Sequence, residues 1–140
     1  MRPTTKRILR WLGGVFLVDI CYIAWLGYSF LSPNSSRNRA SAIHCTLTWG
    51  RLAAFPTSAR DLNISATGNM LTRGFRSSFT APAADIEQWL RDSPGTRSVQ
   101  PSSPAPGIRR FGIVPGGAAQ HAEVTVDDAK RLVSIYVYWS

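Results

Sequence analysis

Apolar residues occur in two patterns along the chain, and each pattern predicts a different kind of element. The first is a continuous run: residues 8–31 carry only two charged side chains, Arg10 and Asp19. A helix rises about 1.5 Å per residue, so the part from Trp11 to Leu31 covers about 30 Å, the hydrocarbon thickness of a bilayer. We therefore expect a single transmembrane helix at 8–31, after a short stub at 1–7.

Basic residues on the two sides of this run indicate its orientation. Four lie within the first ten positions, and two, Arg37 and Arg39, follow Leu31 in the next ten. Basic residues near a membrane span are retained on the cytoplasmic side. The stub is therefore expected in the cytoplasm, and the rest of the chain is expected outside it, in a periplasmic or extracellular space.

A cleaved signal peptide is the alternative to a membrane anchor. The tripeptide Ala40-Ser41-Ala42 has the small-x-small form that signal peptidases accept, and cleavage there would release a secreted domain. The apolar run is longer than the usual signal core of about 7 to 15 residues, and the tripeptide lies well beyond its end. An uncleaved anchor is therefore favoured.

The second pattern begins after a polar stretch and predicts a small folded domain. Residues 32–42 contain too few apolar groups to pack, so they are expected to form a polar tether. Residues 43–140 are numerous enough for one hydrophobic core and too few for two domains. Within them, 43–59 is expected to pack at an edge without an assigned structure.

A β-hairpin is predicted at the start of this domain. Residues 62–67 and 70–79 flank Gly68-Asn69, and both residues of that pair tolerate positive φ. In the second strand the apolar side is imperfect. Its apolar members are Leu71, Phe75 and Phe79, and it is interrupted by Arg73 and Ser77.

A helix is predicted next, because Pro82 suits the first turn and apolar residues follow at helical spacing up to about Asp92. Its apolar stripe consists of Ile86, Trp89 and Leu90. The stretch at 93–107 holds four of the nine prolines of the chain. It is expected to be an exposed loop, since proline and serine favour turns over regular structure.

Three further strands are predicted at 108–114, 119–126 and 132–139, joined by connections short enough for antiparallel hairpins. Successive side chains of a strand point to opposite faces. The side chains expected to face the helix are Ala122, Val124, Val126, Val133, Ile135, Val137 and Trp139. Those expected to face away are His121, Glu123, Thr125, Ser134, Tyr136 and Tyr138. The expected fold is α+β of order ββαβββ, an antiparallel sheet covered on one face by one helix.

One carboxyl group lies near the middle of the predicted membrane span. Placing Asp19 at the bilayer centre costs about 2.5 to 3.5 kcal/mol, and such residues usually face a partner or a cavity. Tyr22 follows three residues later on the same helix face and can donate a hydrogen bond to it. Asp19 and Tyr22 are therefore the candidate contact with another membrane protein or a second copy of the chain, whereas a protonated carboxyl carried by a very apolar helix is the simpler interpretation.

Catalytic and metal-binding patterns are missing from the sequence. The two histidines, His44 and His121, are far apart, and no Cys-x-x-Cys or His-x-x-x-His spacing occurs. His44 and Cys45 are adjacent, which is an awkward arrangement for a nucleophile and its base. We therefore expect no catalytic residue, metal or cofactor, and a domain that is not an enzyme.

Charge is the remaining signal. The chain has 16 basic and 8 acidic residues, and without the first ten residues and Asp19 the balance is still 12 to 7. Nucleic acid is a disfavoured partner because the domain is expected outside the cytoplasm. Anionic lipid headgroups or envelope polymers are the favoured acidic partners, beside the lipid bilayer itself.

These expectations combine into a membrane-anchored, non-enzymatic binding or accessory domain. Its candidate contact surface is the outward sheet face that carries Tyr136 and Tyr138, or an open strand edge. A small subunit of a membrane complex, docked through Asp19, is the alternative, and a secreted domain released by signal cleavage is the lesser one.

Overall fold

The computed structural model describes residues 19–26, 36–68 and 72–140. The chain divides into two units, Met1–Ser36 and Arg37–Ser140. In the first unit residues 19–26 are helical, and most of the expected span at 8–31, together with the stub at 1–7, lies outside the described residues. Among the residues that are described, none belongs to a helix both long and apolar enough to cross a bilayer.

The second unit is an α+β domain built on one six-stranded antiparallel sheet. The fold class predicted from the sequence is therefore confirmed. Its elements are α1 (Ser36–Gly50), β1 (Arg60–Gly68), β2 (Arg73–Thr80), α2 (Ala83–Asp92), β3 (Ser102–Ala105), β4 (Ile108–Ile113), β5 (His121–Asp127) and β6 (Leu132–Trp139). The strands lie in the order β1-β2-β6-β5-β4-β3, and every neighbouring pair is antiparallel. The predicted order ββαβββ is therefore incomplete, since it lacks α1 and β3.

Helix α1 occupies part of the stretch expected to be a tether and part of the unassigned stretch after it. Its buried side chains are Ala42 and Thr46, and Cys45 and Trp49 are partly buried against the core. These positions recur at helical spacing, but they include a threonine and an alanine. The stripe is therefore too weakly apolar to be recognised in the sequence.

The stretch at 93–107 is not uniformly an exposed loop. Its first residues return to the core, where Ser93 and Thr96 are buried and the Thr96 hydroxyl donates a hydrogen bond to the Leu90 carbonyl at 2.7 Å. Its later residues form β3, an exposed edge strand of four residues that includes Pro104 and pairs with β4. Proline has no backbone N–H to donate to a neighbouring strand, so this composition does not predict a strand. Pairing with β4 stabilises it in the folded domain.

The core lies between one face of the sheet and both helices. Phe79 of β2 packs against Trp89 of α2, with ring centroids 5.3 Å apart, and Phe75 packs against Trp49 of α1 at 5.5 Å. Phe75 and Phe79 point to the same sheet face, so both helices cover that face, and not one helix as expected. The helix stripe of Ile86, Trp89 and Leu90 is buried as predicted.

The predicted alternation of β5 and β6 is confirmed with one exception. The six residues of β5 and β6 that are at most 2 % exposed are Ala122, Val124, Val126, Val133, Ile135 and Val137. Trp139 was expected among them but is 36 % exposed. It is the last residue of β6 and pairs with Arg73, the first residue of β2, at the margin of the sheet.

Candidate functional site

The face of the sheet opposite the helices carries polar side chains, and none of those on the described strands is buried. Ser134, Tyr136 and Tyr138 of β6 point to this face, as their alternation with Val133, Ile135 and Val137 requires. We call it the open face. Its residues alternate with the core residues, so the same pattern that builds the core also places these polar groups together.

Strand register aligns the open-face residues into rows that cross the sheet. The first polar row consists of Asn63, Ser78, Ser134, Thr125 and Arg110. The second polar row consists of Ser65, Arg76, Tyr136, Glu123 and Gly112. Neighbouring strands lie about 4.8 Å apart, so each row of five residues extends about 19 Å.

A hollow of about 400 Å³ lies on the open face where β1, β2, β6 and β5 meet. It is lined by Asn63, Ser65, Arg76, Ser77, Ser78, Glu123, Thr125, Ser134, Ile135 and Tyr136. The first polar row contributes the short side chains of Asn63, Ser78, Ser134 and Thr125 here. The second contributes Ser65 and the long side chains of Arg76, Tyr136 and Glu123.

The two charged groups of the hollow differ in how they are paired. The Arg76 guanidinium carbon lies 4.4 Å from the centre of the Tyr136 ring, and within the described part of the chain Arg76 forms no ion pair. The Glu123 carboxylate lies 3.6 Å from Nε of Arg110 and accepts a hydrogen bond from the Thr125 hydroxyl at 3.4 Å. Arg76 is thus a cation held in place by an aromatic ring and free to meet an anion.

The predicted contact residues Tyr136 and Tyr138 lie together on this face. Their ring centroids are 6.5 Å apart with an angle of 25° between the planes, and His121 approaches Tyr136 at 5.7 Å. Sequence reasoning missed Arg76 as a member of this group. The signal that could have found it is its position between the core residues Phe75 and Ser77 of β2, but its contact with Tyr136 depends on the pairing of β2 with β6.

The other predicted contact pair belongs to the first unit. Asp19 and Tyr22 are both exposed in the helical stretch 19–26, and the Tyr22 ring stacks on Trp25 with centroids 6.2 Å apart. Their role stays a prediction.

Charged groups elsewhere in the described residues act between structural elements. Arg109 of β4 forms ion pairs with Glu87 of α2 and with Asp128, which follows β5. Hydrogen bonding to Asp128, the largest contribution, raises the pKa of the Arg109 guanidinium above its usual value, and Glu87 acts in the same direction. The described residues contain no cluster of three or more histidine, cysteine or acidic side chains that could hold a metal.

Comparison of this chain with protein-family models, with curated proteins and with solved structures yields no match. No activity can therefore be transferred from a relative. The chemistry of the open face has to be inferred from its own side chains.

Proposed function

We propose that this chain is a single-pass membrane protein whose domain outside the cytoplasm is a non-enzymatic binding or accessory module. The open face is its contact surface. The observation that carries the proposal is the hollow of about 400 Å³ on the face of the sheet that neither α1 nor α2 covers. The membrane anchor is supported by the apolar run at 8–31 and by the basic residues before it.

The position of the polar side chains favours binding. Strands β2, β6 and β5 are each paired on both sides, so the backbone under Arg76, Ser134 and Thr125 is held by ladders of hydrogen bonds. Because this backbone is already ordered, a ligand does not have to order it, and the conformational entropy cost of binding is confined to the side chains. The backbone of the hollow is therefore organised before binding.

An anchor adds a second advantage to such a module. Tethering to a surface replaces free diffusion by a high local concentration, so a weak site can act efficiently on ligands of the same envelope. The excess of basic over acidic residues in the tether and domain attracts anionic envelope components, and this attraction also raises their local concentration.

Site-specific photocrosslinking in cells of the native host tests this proposal. A photoreactive phenylalanine derivative replaces Tyr138, whose ring stacks on that of the lining residue Tyr136. In a control chain it replaces Ala84, an exposed residue of α2 on the opposite layer. We expect light-dependent products from position 138 and not from position 84. Identical products from both positions, or products from position 84 alone, would contradict the open face as the contact surface.

A further inference from the structure

We infer that the hollow binds an acidic saccharide, a sugar unit that carries a carboxylate. This inference rests on the proposed function, since it names the ligand class of the same open face. The observation that carries it is the position of Arg76, which forms no ion pair within the described residues. Hydroxyl and amide side chains and the stacked rings of Tyr136 and Tyr138 lie beside it.

The dimensions of the hollow suit one or two sugar units. Its volume of about 400 Å³ falls within the range of about 300 to 1,000 Å³ that is typical of small-molecule sites. The first polar row continues past the hollow to Arg110. A longer saccharide chain can therefore extend across the sheet along that row, so recognition does not require a chain end.

The lining of the hollow matches sugar hydroxyls. Ser78 and Ser134 each present a hydroxyl that can both donate and accept a hydrogen bond, and Asn63 adds an amide that does both. The Thr125 hydroxyl donates to Glu123 and can still accept a hydrogen bond. Sugar hydroxyls have the same double capacity. A lipid or an apolar peptide would need large apolar pockets, whereas the apolar side chains of β2, β5 and β6 point into the core on the other face.

Arg76 supplies the acidic specificity. A guanidinium binds a carboxylate through two parallel hydrogen bonds, and stacking on the Tyr136 ring restricts its orientation beforehand. Beside this pair, Tyr138 offers a flat apolar ring on which the C–H face of a sugar can pack.

The Glu123 carboxylate disfavours the binding of a ligand that carries a negative charge on every unit. It lies in the same row as Arg76 but two strands away, at a distance of about 10 Å. Its carboxylate accepts hydrogen bonds from sugar hydroxyls and repels a second anionic group. A densely charged polymer such as a nucleic acid is therefore attracted by Arg76 and repelled by Glu123.

Calorimetric binding to the purified full-length chain in mild detergent tests the inference. The probe is a trimer of one galacturonic acid unit and two neutral galactose units, and the matched probe is its methyl ester, which keeps every hydroxyl and loses the negative charge. We expect the acid to bind at least about tenfold more tightly than the ester, because the charge-assisted pair with Arg76 is lost. Equal affinities, or no binding of either probe, would overturn the inference.

Two arginine variants locate the binding site. Arg76→Gln removes the guanidinium of the hollow, and Arg97→Gln removes an exposed guanidinium outside the open face. We expect Arg76→Gln to weaken binding of the acid at least about tenfold and Arg97→Gln to leave it unchanged, with both variants keeping the near-ultraviolet circular dichroism of the parent. Equal loss in both variants would indicate a general effect of net charge and would contradict the assignment.

A phosphate-rich probe separates this inference from a general anion surface. A short single-stranded oligonucleotide is expected to bind more weakly than the trimer, and equal or tighter binding would overturn the saccharide assignment. Failure here leaves the proposed function standing if position 138 still yields crosslinks. Failure of the crosslinking at position 138 removes both.

Discussion

At the scale of single residues, two buried serines differ in whether the hydroxyl forms a hydrogen bond, and their contributions to the stability of the domain differ accordingly. Ser93 is fully buried, and its hydroxyl accepts the backbone N–H of Ala53 at 3.0 Å. Ser77 is 4 % exposed between the core residues Phe75 and Phe79, and its hydroxyl has no hydrogen-bond partner among the described residues. A buried hydroxyl without a partner costs free energy, whereas a bonded one contributes to stability.

We therefore predict opposite effects of the same substitution at the two serines. Ser77→Ala raises the free energy of unfolding by about 1 kcal/mol, because it removes an unpaired polar group. Ser93→Ala lowers it by about 1 to 2 kcal/mol, because it leaves the Ala53 N–H without its acceptor. Urea denaturation of the full-length chain in mild detergent, followed by tryptophan fluorescence, measures both changes. A destabilised Ser77→Ala chain would show that the hydroxyl has a partner.

At the scale of elements, the segment after α2 packs against the end of α1. The backbone N–H of Gly95 donates to the carbonyl of Arg51 at 2.7 Å. A Cβ atom on Gly95 would lie 2.2 Å from the carbonyl oxygen of Gly50 and 2.9 Å from a methyl group of Ile113. The glycine thus permits a backbone approach that no other residue allows.

Gly95→Ala is accordingly predicted to destabilise the domain by about 2 to 3 kcal/mol, since the clash is with backbone and cannot be relieved by a side-chain rotation. Gly112→Ala is the matched control, because no atom lies within 4 Å of its added Cβ. Its effect is expected to be within about 0.5 kcal/mol. Equal urea midpoints for the two variants would refute the close contact.

The elements also show where sequence patterns carry information. Strands β5 and β6 and helix α2 are predicted with their buried faces, because each alternates apolar and polar residues at its own period. Helix α1 escapes recognition because its buried stripe includes Ala42 and Thr46. Strand β3 escapes because its four residues are exposed and include a proline.

At the scale of the whole molecule, the membrane anchor that we propose is the feature that would place the open face outside the cytoplasm. The full-length chain is predicted to sediment with membranes and to stay there after washing at alkaline pH. An apolar helix that spans a bilayer is held far more firmly than a peripheral protein. Membrane fractionation with mass measurement of the intact chain checks this.

A truncated chain that begins at residue 36 serves as the control and is expected in the soluble fraction. Recovery of the natural chain from the soluble fraction, with a new N-terminus just after Ala42, would contradict the anchor. That result would favour the secreted domain released by signal cleavage.

The candidate site combines both kinds of information. The outward direction of Tyr136 and Tyr138 follows from alternation along a single strand, so the sequence predicts it. The contact of Arg76 with Tyr136 joins residues sixty positions apart, and it depends on the pairing of Arg76 with Tyr136 across β2 and β6. No local pattern encodes that pairing, because register is decided by the packing of the whole sheet.

The α+β class, the strand alternation and the buried stripe of α2 can be predicted from the order of amino acids alone, since they follow from periodicities within single segments. The tertiary structure alone decided that α1 joins α2 on one face, that β3 closes the far edge, and that two polar rows line up on the open face. The physical reason is that burial and cross-strand register are properties of distant segments in contact. They appear only when the whole sheet has formed.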